Sequence, residues 1–392
     1  MVKINPNPSL FPILPTHPAG IARMAAESAH ADDGHLIEFK TLAVRSILNR
    51  TVSKRLLWMT YSINPYRGCE FGCRYCYARY THEFMAPKTP EGAVGDSMVA
   101  APVTAHATPV KLRDPEPIDI HNQPPDMRNP LTFERLIFLK QNASWLLEQE
   151  LRKIDPAQEI ALGTATDPYQ PIERRARITR SILEVFARHS GYHLGIVTKS
   201  RLITRDIDLL AQIARHNTLA VNITITTPDA NLARKLEPRA PRPDLRFEAV
   251  RLLRAAGIRT GVLCAPLLPG ITDSEEAIDK MARRAADANA SFFSANPLFL
   301  KPCSRPTYLS FIREHFPSLE PDYHRRFDNA DFASSAYRRQ MAQIVDRVCR
   351  KYSLGERFKD KSLPRTGDTT RPQPASIRSQ VQPWLFAYET TG

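Results

Sequence analysis

From residue 159 onward, short apolar runs alternate with longer stretches in which apolar residues recur at helical spacing. This alternation is typical of repeated β–α units and a parallel sheet. It predicts strands at 160–163, 193–197, 219–225, 258–264 and 291–295. A sixth strand is predicted at 56–63, an apolar segment rich in strand formers that Asn64 and Pro65 terminate. Six such units with right-handed crossovers predict an α/β barrel or an open part of one.

Amphipathic stretches follow most of these strands and predict the helices. They cover residues 172–189, 204–216, 230–235 and 244–256, and a further helix ends near residue 288. Asp273 and Glu276 are spaced as a capping box at the start of that last helix. Helical spacing at 131–153 predicts a helix or a broken helix pair, and segments 305–316 and 323–352 also read as helical.

The remaining segments lack a sustained apolar period and divide the chain. Residues 1–50 are predicted to be an N-terminal extension, partly disordered, and residues 51–300 the α/β core. The Pro-dense segment 87–130 is an irregular insertion in that core. Residues 301–361 form a C-terminal helical region, and residues 362–392, rich in Pro, Thr, Ser and Gly, a flexible tail.

The charge balance narrows the choice of partners. Lys and Arg number 54 against 41 Asp and Glu, a net charge of +13. Such an excess favours a polyanionic partner, with nucleic acid as the first candidate. The arginines are spread along the chain without a long basic block, so a solvated basic surface is an equally good interpretation.

Cysteine usage and hydropathy indicate a cytoplasmic protein with no membrane partner. Six cysteines in 392 residues do not form a disulfide framework. The N-terminus has no basic region followed by an apolar core, and no run of about 18 apolar residues occurs.

Three of the cysteines are close together, at Cys69, Cys73 and Cys76. Thiolates that converge in one loop favour a soft metal centre. A [4Fe–4S] cluster usually has four cysteine ligands, so three ligands would leave one iron open. The alternatives are three unrelated thiols or a structural zinc site with His82 as fourth ligand. Zinc sites usually pair CxxC with a second CxxC or with spaced histidines, and the chain has no such second pair.

Polar residues stand where several predicted strands end. Thr164, Thr166 and Asp167 follow the second strand, Lys199 and Ser200 follow the third, and Asn222 lies on the fourth. In a parallel α/β barrel the active site forms at these ends. Taken singly, each residue could instead cap a helix or lie in solvent.

The spacing Cys69-x3-Cys73-x2-Cys76, with Tyr75 before the last cysteine, resembles the signature of the radical S-adenosylmethionine (SAM) enzymes. A narrower resemblance is to the spore photoproduct lyase-like branch, often labelled "DNA repair photolyase". The motifs that carry it are Asn64-Pro-Tyr-Arg-Gly-Cys69, Thr166-Asp-Pro-Tyr-Gln-Pro171, Thr198-Lys-Ser200 and Glu237-Pro-Arg-Ala-Pro241.

The resemblance implies the fold and the cofactors. The fold would be a partial (β/α)6 barrel of the radical SAM type with a helical C-terminal appendage. Cys69, Cys73 and Cys76 would bind a [4Fe–4S] cluster whose open iron chelates SAM. An electron from the cluster would cleave SAM to methionine and a 5′-deoxyadenosyl radical. The reductant would be a protein such as flavodoxin or ferredoxin, and the candidate substrate is nucleic acid.

Further roles at the predicted SAM site follow from the same resemblance. The backbone around Tyr75 and Tyr77 is expected to face adenine. Lys199 is the candidate for the SAM carboxylate. The candidates for the methionine amino group and its polar neighbours are Thr164, Thr166 and Asp167, and those for the ribose side are Ser200 and Asn222.

Two further expectations complete the prediction. Spore photoproduct lyase uses an added cysteine to return a hydrogen atom to the substrate radical. Cys264, at the end of the fifth strand, is the candidate for that role here. Separately, Cys264, Cys303 and Cys349 are predicted not to bind metal. The rival function is an iron–sulfur protein that binds nucleic acid or senses redox state without radical catalysis.

Overall fold

Six parallel strands form the main sheet, and a short antiparallel strand extends it at one edge. The computed structural model describes residues 37–50, 59–85 and 126–355. Within these ranges the strands are β1 (Glu38–Thr41), β2 (Leu48–Arg50), β3 (Tyr61–Ile63), β4 (Tyr66–Arg67), β5 (Leu136–Leu139), β6 (Glu159–Leu162), β7 (His193–Thr198), β8 (Thr218–Thr224), β9 (Thr260–Leu267) and β10 (Phe293–Pro297).

The order of strands in the main sheet is β10-β9-β8-β7-β6-β3-β2. From β3 to β10 spatial order follows chain order, and neighbouring strands are parallel. Right-handed β–α crossovers give this arrangement. The predicted α/β fold, a partial (β/α)6 barrel with a helical appendage, is confirmed.

The α-helices of the described residues are α1 (Tyr80–Glu83), α2 (Thr132–Arg135), α3 (Ala143–Leu151), α4 (Glu173–Ala176), α5 (Ile178–Arg188), α6 (Ile207–His216), α7 (Ala230–Leu236), α8 (Pro243–Ala255), α9 (Glu275–Asp287), α10 (Arg305–His315), α11 (Glu320–Phe327) and α12 (Ser335–Lys351). Short 3-10 helices cover Tyr77–Arg79, Arg201–Asp206 and Pro317–Leu319. Helices α6, α8, α9 and α12 pack against strands of the main sheet. Each large apolar side chain that α5 buries, such as Ile182 or Phe186, contributes about 1.5–3 kcal/mol to folding.

Two helix boundaries differ from the prediction. The helix expected at 172–189 is divided at Arg177, whose φ of 52° places it in the left-handed region between α4 and α5. The capping residue of α9 is Ser274, not Asp273: the Ser274 hydroxyl accepts a hydrogen bond from the Ala277 N–H at 3.1 Å. Asp273 instead accepts from the N–H of Gly270, because it lies in the turn before the helix.

The helix or broken helix pair predicted at 131–153 is found as α2 and α3, but the residues between them form the strand β5, which was not predicted. This strand pairs in parallel with β1 and antiparallel with β4, so it forms the centre of a second sheet with three strands. Four consecutive apolar residues, three of them buried, suit a strand buried on both faces. Tertiary pairing therefore outweighs the helical spacing of the flanking residues.

Part of the expected N-terminal extension belongs to the sheets. β1 pairs with β5, and β2 pairs with β3 at the edge of the main sheet. We therefore propose that the core begins at residue 38 instead of 51. The first 36 residues, most of the predicted insertion (86–125) and the predicted tail lie outside the described residues. No helix within the described ranges is long and apolar enough to cross a membrane.

Candidate active site

The three clustered cysteines lie in a loop between β4 and the 3-10 helix Tyr77–Arg79. Cys69 and Cys73 are buried, and Cys76 is partly buried. All three pack in one apolar cluster that also contains Tyr75 and side chains of the C-terminal helices, among them Tyr308 of α10. The helical appendage thus helps to enclose the loop that carries the cysteines.

Hydrogen bonds of the Thr-Asp-Pro-Tyr-Gln motif hold the cysteine loop at the end of β6. The Thr166 hydroxyl donates to the Gly68 carbonyl oxygen at 2.6 Å, and the Gln170 amide donates to the same oxygen at 3.3 Å. In return, the Glu70 N–H donates to the Gln170 side-chain oxygen at 2.9 Å. These buried bonds hold the loop in place, so Thr166 has a structural role, and its contact with a cofactor stays a prediction.

A second set of contacts surrounds Gly72. Glu134 is nearly fully buried and pairs with Arg239 at 2.8 Å and Arg79 at 3.4 Å; Arg79 also donates to the Cys73 carbonyl oxygen. Gly72 has a φ of +61°, and a Cβ on it would overlap the Arg239 guanidinium and the Glu134 carboxylate. Only glycine therefore fits between Cys69 and Cys73 at this point.

Gly72→Ala is expected to destabilise the protein by more than the about 1–2 kcal/mol that a left-handed alanine costs, because it also displaces the Glu134–Arg239 pair. The matched control is Gly257→Ala, since Gly257 has a φ of +76° and open space around a Cβ. Urea unfolding of both variants measures the difference. Equal losses of stability would show that the ion pair is not displaced.

The surroundings of His82 bear on the choice between a cluster and a zinc ion. In a [4Fe–4S] cluster each cysteine binds a different iron, so the thiolates are spread around the cluster. His82, the expected zinc ligand, packs against Phe133 and its Nε2 lies 3.0 Å from the Leu136 carbonyl oxygen. This position favours the cluster over zinc.

Burial governs the chemistry of these thiols. It raises the pKa of Cys69 well above the usual value, and Asp167, Cys73 and Cys76 add to the effect. Burial likewise raises the pKa of Cys73 to about 12, against the opposing charge of Lys199. Thiols with raised pKa values lose their protons only when a strong positive charge beside them stabilises the thiolate. An iron–sulfur cluster supplies that charge, so the residues present fit the group.

Asp167 connects the ends of β6 and β7. Its carboxylate accepts hydrogen bonds from the Thr198 hydroxyl at 2.6 Å, the Lys199 N–H at 2.7 Å and the Tyr169 N–H at 2.9 Å. Burial raises the pKa of Asp167, and these hydrogen bonds oppose the rise. The side chain thereby fixes the backbone that presents Lys199, while its predicted contact with the methionine amino group stays a prediction.

The Lys199 side chain reaches toward the cysteine loop. Its Nζ lies 5.7 Å from the centre of the Tyr75 ring. Burial lowers the pKa of Lys199, but Cys73 and Glu237 outweigh burial and raise it. Within the described ranges its ammonium donates no hydrogen bond. A charged and uncommitted ammonium beside three thiols is suited to an anionic ligand.

Four other predicted site residues form hydrogen bonds within the protein: Tyr77, Thr164, Ser200 and Asn222. The Tyr77 hydroxyl donates to the Thr164 carbonyl oxygen. Ser200 caps the 3-10 helix Arg201–Asp206 through the Leu202 N–H, and the Asn222 amide donates to the Ile196 carbonyl oxygen at 3.0 Å. Tyr77 and Thr164 are half-buried, whereas Ser200 and Asn222 are buried. Their predicted roles at SAM stay predictions.

The other cysteines differ in their distance from the loop. Cys264 is buried in β9 and its Sγ lies 3.8 Å from the Thr226 carbonyl oxygen. Burial raises its pKa to about 12, with Glu237 adding to the rise. Cys303 was predicted only not to bind metal, yet its Sγ lies 4.0 Å from the Tyr77 carbonyl oxygen, next to the cysteine loop. Its position 227 residues after Cys76 gave no signal of this proximity.

Glu237 and Arg246 form a buried ion pair that the sequence did not single out. Arg246 Nη2 lies 2.5 Å from Glu237 Oε2. Glu237 also accepts hydrogen bonds from Tyr75 and Thr226. Burial raises the pKa of Glu237, but Arg246 and Lys199 outweigh it and hold the pKa below its usual value. The only sequence signal was the position of Glu237 at the start of a family-like motif.

Comparisons with known proteins agree with this geometry. The sequence model of the Radical SAM superfamily matches residues 142–282. An uncharacterized protein of Mycobacterium tuberculosis is 29% identical over 319 residues, 81% of this chain and 82% of that protein. One from Methanocaldococcus jannaschii is 24% identical, over 74% of this chain and 86% of that protein.

Among solved structures, a mutant of spore photoproduct lyase with bound AdoMet and dinucleoside spore photoproduct is similar in fold. Its TM-score is 0.50 at 11% identity, covering 80% of this chain and 79% of the lyase. Residues 142–282 therefore match the radical SAM superfamily, and the chain has the fold found in spore photoproduct lyase. The match supports radical SAM chemistry with the two cofactors that the sequence predicted, a [4Fe–4S] cluster and SAM.

Proposed function

We propose that this enzyme cleaves SAM reductively and directs the 5′-deoxyadenosyl radical to a C–H bond of a substrate. The observation that carries the proposal is the placement of all three cysteines in one apolar cluster at the strand ends, with the Lys199 ammonium beside Cys73 and Tyr75. When bound, the cluster and SAM supply the electron transfer and the radical. Cys69, Cys73 and Cys76 would hold the cluster.

The other residues would orient SAM and exclude water. Lys199 would bind the SAM carboxylate, and Asp167 would keep Lys199 in place through the backbone. The apolar cluster around the cysteines would exclude water from the reacting atoms. We propose a flavodoxin or ferredoxin as the electron donor and the cytoplasm as the compartment, where all six thiols would stay reduced.

The test is a single-turnover assay. The protein is reconstituted anaerobically with iron and sulfide, reduced with dithionite and incubated with SAM, and 5′-deoxyadenosine is measured. Product above that of a Cys73→Ala control is expected. A protein that holds the cluster yet forms no 5′-deoxyadenosine would favour the rival function, an iron–sulfur redox sensor.

For the substrate we propose nucleic acid and a lyase-like reaction. The supports are the net charge of +13, the fold likeness to spore photoproduct lyase and three exposed arginines after the Thr-Asp-Pro-Tyr-Gln motif: Arg174, Arg175 and Arg177. Two other arginines, which follow β7, are already paired. Arg205 binds Glu173 at 2.8 Å, and Arg201 binds Glu248 at 3.2 Å.

Changing the three exposed arginines to Gln is expected to weaken binding of labelled single-stranded and duplex DNA. Each phosphate contact contributes about −0.9 to the slope of log affinity against log salt, so the slope should fall by about 2–3 units. Fluorescence titrations at two salt concentrations measure it. The matched control is Arg215, Arg251 and Arg283 changed to Gln, since these are exposed near the ends of helices α6, α8 and α9, which lead into the opposite ends of the strands.

Equal weakening by both triple variants would indicate a diffuse surface charge instead of a binding site. Absence of any DNA binding at about 50 mM salt, where non-specific contacts are strong, would contradict the nucleic-acid substrate. The 5′-deoxyadenosine assay would still stand in either case.

A further inference from the structure

The ion pair between Glu237 and Arg246 lies beneath the cysteine loop. Glu237 follows α7, Arg246 lies on α8, and each side chain is only 1% exposed. Removing two charges from water is costly, and an apolar pair of similar size is often as stable. The position of this pair at the site therefore points to a role for its charges and hydrogen bonds beyond stability.

The pair connects the cysteine loop to β8. Glu237 Oε1 accepts hydrogen bonds from the Tyr75 hydroxyl and, at 3.0 Å, from the Thr226 hydroxyl. Arg246 Nη1 donates to the carbonyl oxygen of Thr224, the last residue of β8, at 3.1 Å. The Tyr75 ring is thus fixed from its hydroxyl end by groups that are themselves fixed to the strand.

Tyr75 in turn supports two parts of the proposed site. It lies in the turn between Cys73 and Cys76, where the Cys76 N–H donates to the Cys73 carbonyl oxygen at 3.2 Å. The Lys199 ammonium also lies over its ring, 5.7 Å from the ring centre. A cation beside an aromatic face is attracted by about 0.5–1 kcal/mol at exposed sites and by more when desolvated.

We propose that Glu237 and Arg246 are positioning residues for SAM, acting through Tyr75 on the Cys73–Cys76 turn and on the Lys199 ammonium. This inference rests on the proposed function, since it takes Lys199 and the cysteine turn as the two sides of the SAM site. The role is indirect. The ion pair fixes the Tyr75 ring, and the ring in turn supports the Cys73–Cys76 turn and Lys199, which would bind the cluster and SAM.

The main variant is Tyr75→Phe, which removes one hydroxyl and keeps the ring beside Lys199. It is expected to retain the iron content of the natural protein and to bind SAM ~10-fold more weakly, the loss expected for a hydrogen bond to a charged group. Glu237→Gln keeps an acceptor for Tyr75 but removes the charge, and a similar loss is expected. If Glu237→Gln does not fold, the SAM affinity of Tyr75→Phe alone tests the positioning role.

The matched control is Tyr337→Phe. The Tyr337 hydroxyl donates to Asp273 at 2.7 Å, so this variant also loses a tyrosine–carboxylate hydrogen bond. It should lower the melting temperature without changing the affinity for SAM. Binding is measured by equilibrium dialysis and by the change that SAM causes in the electron paramagnetic resonance spectrum of the reduced cluster.

A second readout needs neither SAM nor the cluster. In the apo protein, iodoacetamide labelling followed by mass spectrometry reports access to each thiol. Tyr75→Phe should label Cys73 and Cys76 several-fold faster than the natural protein, whereas Cys264 and the Tyr337→Phe control should be unchanged.

The two readouts separate this inference from the proposed function. If the natural protein binds no SAM, the proposed function fails, and with it the SAM side of this inference. If the natural protein binds SAM and Tyr75→Phe shows natural SAM affinity and natural labelling rates, the pair is structural only and the inference is overturned.

Discussion

Replacing any one of Cys69, Cys73 and Cys76 with Ala is expected to abolish the iron–sulfur cluster. The reconstituted natural protein should hold about four irons per chain. It should absorb at about 400 nm, where thiolate-to-iron charge transfer occurs in such clusters. A site with three cysteine ligands has no spare ligand, so loss of one thiolate should remove both the iron and the brown colour. Iron analysis and absorption spectra measure the outcome.

The control set is Cys264, Cys303 and Cys349, each changed to Ala in turn. Cys349 bonds weakly to the Phe293 carbonyl oxygen, far from the loop in sequence, and is the mildest control. Cys303→Ala is the strictest control, because the Cys303 thiol lies beside the Tyr77 carbonyl oxygen and is therefore close to the cysteine loop. Full iron content in Cys76→Ala would contradict the three-cysteine site, and loss of iron in Cys303→Ala would identify a fourth ligand.

Lys199→Met is expected to weaken SAM binding by roughly 10- to 100-fold, the effect of losing a hydrogen bond to a charged group worth about 1.5–3 kcal/mol. Methionine keeps much of the length of the lysine side chain and removes its charge. The cluster should be retained, because Lys199 supplies no iron ligand. Equilibrium dialysis with SAM and iron analysis on the same samples check both parts.

Lys280→Met is the matched control, since Lys280 is exposed on α9. It should bind SAM like the natural protein. If Lys199→Met also binds SAM with natural affinity, the ammonium does not contact the SAM carboxylate. Loss of iron in Lys199→Met would mean that its charge is needed to assemble the cluster.

The features that sequence predicted best are those in which nearby residues act together. The spacing of Cys69, Cys73 and Cys76 confines three thiols to one loop, because a chain of eight residues cannot separate them widely. The alternation of apolar runs and amphipathic stretches likewise reflects local periodicity, and five strands from residue 159 onward follow it. The fold class could be predicted on that basis, and the cofactors were implied by the resemblance of the cysteine spacing to the radical SAM signature.

What the tertiary structure decided involves partners distant in the chain. β5 became a strand because β1 and β4 pair with it, and their contribution is invisible in a local window. Arg205 is paired with Glu173, 32 residues earlier in the chain, because folding brings the two side chains together.

The same reason explains the central pair of the site. Glu237 meets Tyr75 from 162 residues away. Neither residue type nor spacing predicts such a contact, since it depends on how β8, α7 and the cysteine loop pack together. The sequence by itself predicted the cysteine loop and the sheet, because adjacent residues and regular periods specify them. Only the packed structure brought Glu237, Arg246 and Lys199 to that loop, because buried charges are stable only where folding has supplied their partners.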